Sequence, residues 1–108
     1  MEPRPRKLVL YQTKEGSCPW QEWFDGLKDR KIRASVDARL LRIQRGNFGD
    51  CKSVGGAVME LRVHLGPGYR VYFAKDGDTI VVLLCGGTKR TQTRDIKQAL
   101  AYWEEYRS

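Results

Sequence analysis

The chain has 108 residues, 41% hydrophobic and 31% charged, which fits one folded domain with a modest core and excludes an intrinsically disordered segment. Lys and Arg number 20 against 13 Asp and Glu, a formal net charge of +7. That surplus favours an anionic partner (nucleic acid, an acidic protein segment or a membrane surface) without choosing among them. No stretch approaches the roughly 20 apolar residues of a membrane helix, and no signal-peptide core follows Met1-Glu2-Pro3-Arg4-Pro5-Arg6-Lys7, so a cytoplasmic protein with no membrane partner is expected. Cys18, Cys51 and Cys85 are widely spaced and form no Cys-x-x-Cys or Cys/His pair. They are expected as thiols in a reducing compartment, with no metal site and no cofactor.

In chain order, Leu8-Val9-Leu10-Tyr11 reads as a first strand. Ser17 and Pro19 mark a helix start, and Trp20, Trp23, Phe24 and Leu27 follow as one apolar stripe. A second helix is predicted from about Lys31 to Arg45, with Ile32, Val36, Leu40 and Ile43 on one face and Ala34, Ala38 and Leu41 on another. Two apolar faces predict two packing partners, and Arg39 at the stripe's edge is expected to snorkel or to pair with a carboxylate. Gly46, Asn47, Gly49 and Asp50 read as a loop carrying Lys52 toward the sheet.

Met59, Leu61, Val63 and Leu65 alternate with Glu60, Arg62 and His64, the period of a half-buried strand. Gly66-Pro67-Gly68 turns the chain into a strand from Tyr69 to Phe73, and Asp76-Gly77-Asp78 makes the next hairpin turn. Thr79 to Cys85 is apolar nearly throughout, predicting a central strand covered on both faces that stops at Gly86-Gly87. A last helix begins near Thr91, with Asp95 in its first turn and Ile96, Ala99, Leu100 and Trp103 facing inward. The expected fold is a single α+β domain over residues 1–108: a small, twisted, mainly antiparallel sheet in the order βααβββα. Two helices should lie on one side, with the last packed elsewhere.

The alternation places Glu60, Arg62 and His64 on one face, and Arg70 and Tyr72 on one face of the next strand. If those strands pair, all five line one surface, joined by Lys52 from the loop and by Lys89 and Arg90 from the end of the apolar strand. Such a gathering suits an RNA backbone. Cleavage without a metal needs in-line attack of the ribose 2′-hydroxyl on phosphorus, and fixed cations stabilise the charge that grows on the phosphoryl and leaving oxygens. Tyr72, His64 and Glu60 are the proton carriers of the group, and Tyr or His can stack on a splayed base. Taken singly each residue has a plainer reading: a solvated cationic face, a surface histidine, a Glu60–Arg70 cross-strand pair. The convergence raises the functional one.

The stretches Gly46-Asn47-Phe48-Gly49-Asp50-Cys51-Lys52, Glu60-Leu61-Arg62, Gly66-Pro67-Gly68-Tyr69-Arg70-Val71-Tyr72-Phe73, Leu84-Cys85-Gly86-Gly87-Thr88-Lys89 and Gln92-Thr93-Arg94-Asp95-Ile96 together resemble the RelE/ParE superfamily of bacterial toxins. The nearest branch is the HigB-like addiction module killer group, related to phage Gp49-like proteins. The resemblance implies the toxin of a type II toxin–antitoxin pair, a metal-independent, ribosome-dependent mRNA endoribonuclease acting by 2′-hydroxyl attack. Its implied partners are the ribosome, mRNA and a cognate helix-turn-helix antitoxin that neutralises it in a hetero-oligomer. By resemblance Arg70 matches the arginine that contacts the scissile phosphate, and Arg62 stands where RelE has a lysine acting in proton transfer. Glu60 reverses the charge of a second lysine, and Lys89 or Arg90 matches the basic residue ending the last strand. The tyrosine that RelE carries in its last helix has no counterpart near Asp95-Ile96. The expected catalytic set is therefore Arg62, Arg70, Tyr72 and Lys89, with Lys52, His64, Arg90 and Gln92 contacting RNA. Two other readings belong to the same resemblance: a non-catalytic ParE-like inhibitor of DNA gyrase, and an inactive phage-derived relative that only binds antitoxin or nucleic acid.

Overall fold

A computed structural model describes residues 4–108. Met1–Pro3, the first residues of the segment read for a signal peptide, lie outside the described residues. The elements are β1 (Lys7–Leu10), α1 (Pro19–Asp25), α2 (Arg30–Gln44), β2 (Cys51–Gly55), β3 (Val58–Val63), β4 (Tyr69–Asp76), β5 (Ile80–Thr88) and α3 (Gln92–Tyr106), with a 3₁₀ turn at Lys89–Thr91 between the last two. The α+β expectation stands, with one strand added. Cys51–Gly55 pairs antiparallel with β3 rather than lying in a loop. The sheet order is β1-β5-β4-β3-β2, antiparallel except for the parallel pairing of β1 with β5.

The sheet carries a separate apolar layer on each face. On one side Trp20 of α1 and Val36, Leu40 and Ile43 of α2 meet Leu61, Val63, Val71, Phe73, Val81 and Leu83. On the other, Ala99 and Trp103 of α3 meet Val58, Tyr72, Ala74, Val82, Leu84 and Cys85. β4 and β5 are thus buried on both faces, as the unbroken apolar run of β5 requires. The second face expected of α2 is not packed: Ala34, Ala38 and Leu41 are exposed, because α1 lies against β5 rather than over α2. Among the described residues Arg39 finds no carboxylate partner. Its Nη1 donates to the Arg62 carbonyl at 2.7 Å, fixing the helix to β3.

Strand β5 does not stop at its glycines but runs through them to Thr88. A bulge opposite Tyr72–Phe73 puts Leu84 and Cys85 on the same side, so the alternation shifts by one residue beyond it. Gly86 then faces α1 and Gly87 faces α3. A Cβ on Gly86 would overlap the Trp23 indole, and one on Gly87 would overlap the Asp95 carboxylate. The pair lets two helices press on one strand from opposite sides.

Candidate functional site

The site is built on the α3 face of β3 and β4. Cross-strand register aligns Lys52, Glu60, Tyr72 and Cys85 as one rung, and Arg62, Arg70 and Gly87 as the next. Past the last β3–β4 pair, Val63–Tyr69, the chain opens into the Leu65–Gly68 turn. There the Lys89 amide donates to the Gly68 carbonyl at 2.9 Å, bringing the end of β5 to the same edge. Gly66 and Gly68 take positive φ values of 51° and 82°, a conformation that favours glycine.

Glu60 is the hub. It is completely buried, and its two carboxylate oxygens are fully used. Oε1 accepts from Arg62 Nε at 3.2 Å, and Oε2 accepts from the Tyr72 hydroxyl and from Gln92 Nε2, each at 2.9 Å. Arg70 Nε lies 3.6 Å from Oε2, an ion pair too long for a good hydrogen bond. Burial alone would raise the Glu60 carboxyl, but the hydrogen bonds from Gln92, Tyr72 and Arg62 and the charge of Arg70 outweigh it, and the group titrates below its ordinary value. Glu60 is therefore an anion that holds two guanidiniums side by side. This role is richer than a single Glu60–Arg70 pair, and alternation alone could not reveal it, because the Gln92 contact comes from α3.

Of the expected catalytic residues, Arg62 keeps 31% of its side chain exposed and Arg70 11%. Arg70 does not face solvent: it is drawn inward by Glu60, and its Nε is sealed from water with no hydrogen-bond partner among the described residues. Tyr72 is wholly buried, and burial together with the Glu60 carboxylate pushes its phenol far above the ordinary range. The phenol donates to Glu60 and fixes its carboxylate. Lys89 is exposed on the 3₁₀ turn.

Of the residues expected to contact RNA, Lys52 is exposed on edge strand β2. Gln92 is turned inward to Glu60. Arg90 lines an open cleft of about 460 Å³ with Thr91, Thr93, Arg94 and Lys97, and the spacing of Arg90, Arg94 and Lys97 sets three cations on one side of the start of α3. His64 sits at the mouth of the site, its Nε2 hydrogen-bonded to Asp50 Oδ2. Sequence reasoning did not single out Asp50, Arg94 or Lys97; the spacing of 90, 94 and 97 was the available signal. The loop bearing Asp50 is anchored by Phe48, which stacks on Phe73 at 5.8 Å under the Lys75 ammonium 4.4 Å away.

Among the described residues no helix is long and apolar enough to cross a membrane, and no group of three or more His, Cys, Asp or Glu is placed to hold a metal ion. Cys18, Cys51 and Cys85 are free thiols. Residues 22–102, from α1 into α3, match the family described as phage-derived protein Gp49-like (DUF891). A similar protein, uncharacterized, occurs in Haemophilus influenzae. It is 49% identical over 80 residues, covering 74% of this chain and 81% of its own. The chain belongs to the phage-derived Gp49-like family, which is associated with the toxins of toxin–antitoxin systems.

Proposed function

We propose that this protein is the toxin of a type II pair close to the HigB-like branch, a metal-independent mRNA endoribonuclease that works on the ribosome and is neutralised by a cognate helix-turn-helix antitoxin. The observation that carries the reading is the pair of guanidiniums, Arg62 and Arg70, clamped to one buried carboxylate near the end of the central strands where Lys89 emerges. Glu60 offsets a single charge, so the cluster stays cationic. A phosphodiester held against it would have its non-bridging oxygens facing donors already fixed in place, the condition under which such groups lower a barrier most. The ribose 2′-oxygen attacks phosphorus, the bond to the 5′-oxygen breaks, and the products are a 2′,3′-cyclic phosphate and a 5′-hydroxyl. Arg62, Arg70 and Lys89 stabilise the charge on phosphorus in this scheme, while Lys52 and Arg90 steer the strand on either side. Tyr72 and Gln92 hold Glu60.

Arg70→Ala tests it. Primer extension on cellular mRNA after inducible expression should show cuts within translated frames for the wild type. The variant should lose them by about 10²–10³-fold, as expected for one transition-state donor. Growth arrest without cuts would move the reading to gyrase inhibition, and cuts that persist in the variant would remove Arg70 from the phosphate site.

A further inference from the structure

The site as described stabilises charge but lacks a group to take the proton from the attacking hydroxyl. Glu60 has both oxygens occupied inside the protein, and the Tyr72 hydroxyl is spent on Glu60. We propose that His64, oriented by Asp50, is the general base of the reaction; this rests on the ribonuclease reading above.

The placement comes from the strand end. His64 follows Val63, the last residue of β3, and stands two residues beyond Arg62, while across the hairpin the Gly68 carbonyl holds the amide of Lys89. A Cβ on Gly68 would come within 3.4 Å of Arg70 Nη1 and 3.7 Å of Lys89 Cβ. The glycine keeps open the space onto which the cations converge.

Asp50 is tied to the same place twice. Its carbonyl accepts the Arg62 amide at 3.0 Å, continuing the β2–β3 ladder, and its carboxylate takes Nε2 of His64. The hydrogen bond from His64 holds the Asp50 carboxyl below its usual range, aided by the charges of His64, Arg62 and Arg39. An ionised Asp50 accepts the Nε2 proton and thereby fixes the tautomer, so that the lone pair lies on Nδ1. With 71% of its side chain exposed, His64 is open to a ligand. Its ring is the chain's one imidazole, a side chain that can both accept and release a proton.

The step balances. Nδ1 takes the proton of the ribose 2′-hydroxyl as the 2′-oxygen bonds to phosphorus. The resulting imidazolium is paired with Asp50, and the departing 5′-oxygen takes a proton from water. The charged groups around the His64–Asp50 pair are Arg62 from β3 and Arg39 from α2, both of which act on the Asp50 carboxylate. His64 touches substrate; Asp50 is a positioning residue.

The test uses purified full-length protein and ribosomes programmed with a short mRNA. His64→Ala should slow single-turnover cutting by about 10²–10⁴-fold, the range of a general base, and added imidazole should restore part of the rate. Asp50→Asn should lower the single-turnover rate while leaving mRNA binding unchanged, since the imidazole stays in place but loses the partner that orients it. Cutting by His64→Ala at the wild-type rate, or a loss that imidazole leaves untouched, would overturn the assignment while Arg70→Ala still reports on the phosphate site. Wild-type protein that cuts no mRNA would remove both readings together.

Discussion

Glu60 shows how one side chain sets the chemistry of its neighbours. A buried carboxylate would ordinarily be a liability; here it accepts three hydrogen bonds and faces a guanidinium that is itself nearly sealed. Removing the charge strands Arg70, so Glu60→Gln should destabilise the fold by roughly 3 kcal/mol, read by denaturant unfolding. It should also loosen both arginines. Because the folded carboxyl titrates below its ordinary value of 4.5, the unfolded chain binds its proton first as pH drops. The stability Glu60 contributes is complete above that pH and is lost as pH falls through the lower folded value. The wild type should therefore show a fall in Tm below about pH 4.5 that is shallower in Glu60→Gln; equal slopes would mean the group is not held ionised.

Among the elements, β5 carries the most constraint. Gly86 and Gly87 admit Trp23 from one side and Asp95 from the other, and Asp95 is tied to Thr91 at the start of α3. Gly87→Ala should push α3 away, costing about 1–3 kcal/mol as overpacking does, and should draw Gln92 off Glu60. Thermal unfolding checks the first effect. The second would appear as weakened cutting, since the hub loses one of its donors. Much of this was legible beforehand. The alternation around Glu60, Arg62, Arg70 and Tyr72 gave their shared face correctly, and the apolar run of β5 gave its central place. β2 was missed because Cys51-Lys52-Ser53-Val54-Gly55 alternates weakly at an edge, where half its groups meet water. The exit of β5 was misread because a bulge leaves no mark in hydrophobicity yet reverses which side each later residue faces. The strand and face of Arg70 were legible but its depth was not, since Glu60 and Gln92 meet beside it across distant sequence.

For the molecule as a whole, the charge of +7 is unevenly used. Arg62, Arg70 and Lys89 gather at one end of the central strands, and Arg90, Arg94 and Lys97 line the neighbouring cleft. Binding of single-stranded RNA should therefore weaken steeply with salt, with a slope of log affinity against log salt that falls by about 0.7 for each phosphate-contacting cation removed. Titrating Arg94→Ala at several ionic strengths measures this; an unchanged slope would take the cleft out of the RNA track.

The parallel pairing of β1 with β5 has a temporal consequence. A ribosome makes β1 about seventy residues before its strand partner β5, and the glutamine that completes the Glu60 hub follows later still. Contacts so distant in sequence close slowly and late. A nascent chain thus carries its arginines before the arrangement that gathers them can form.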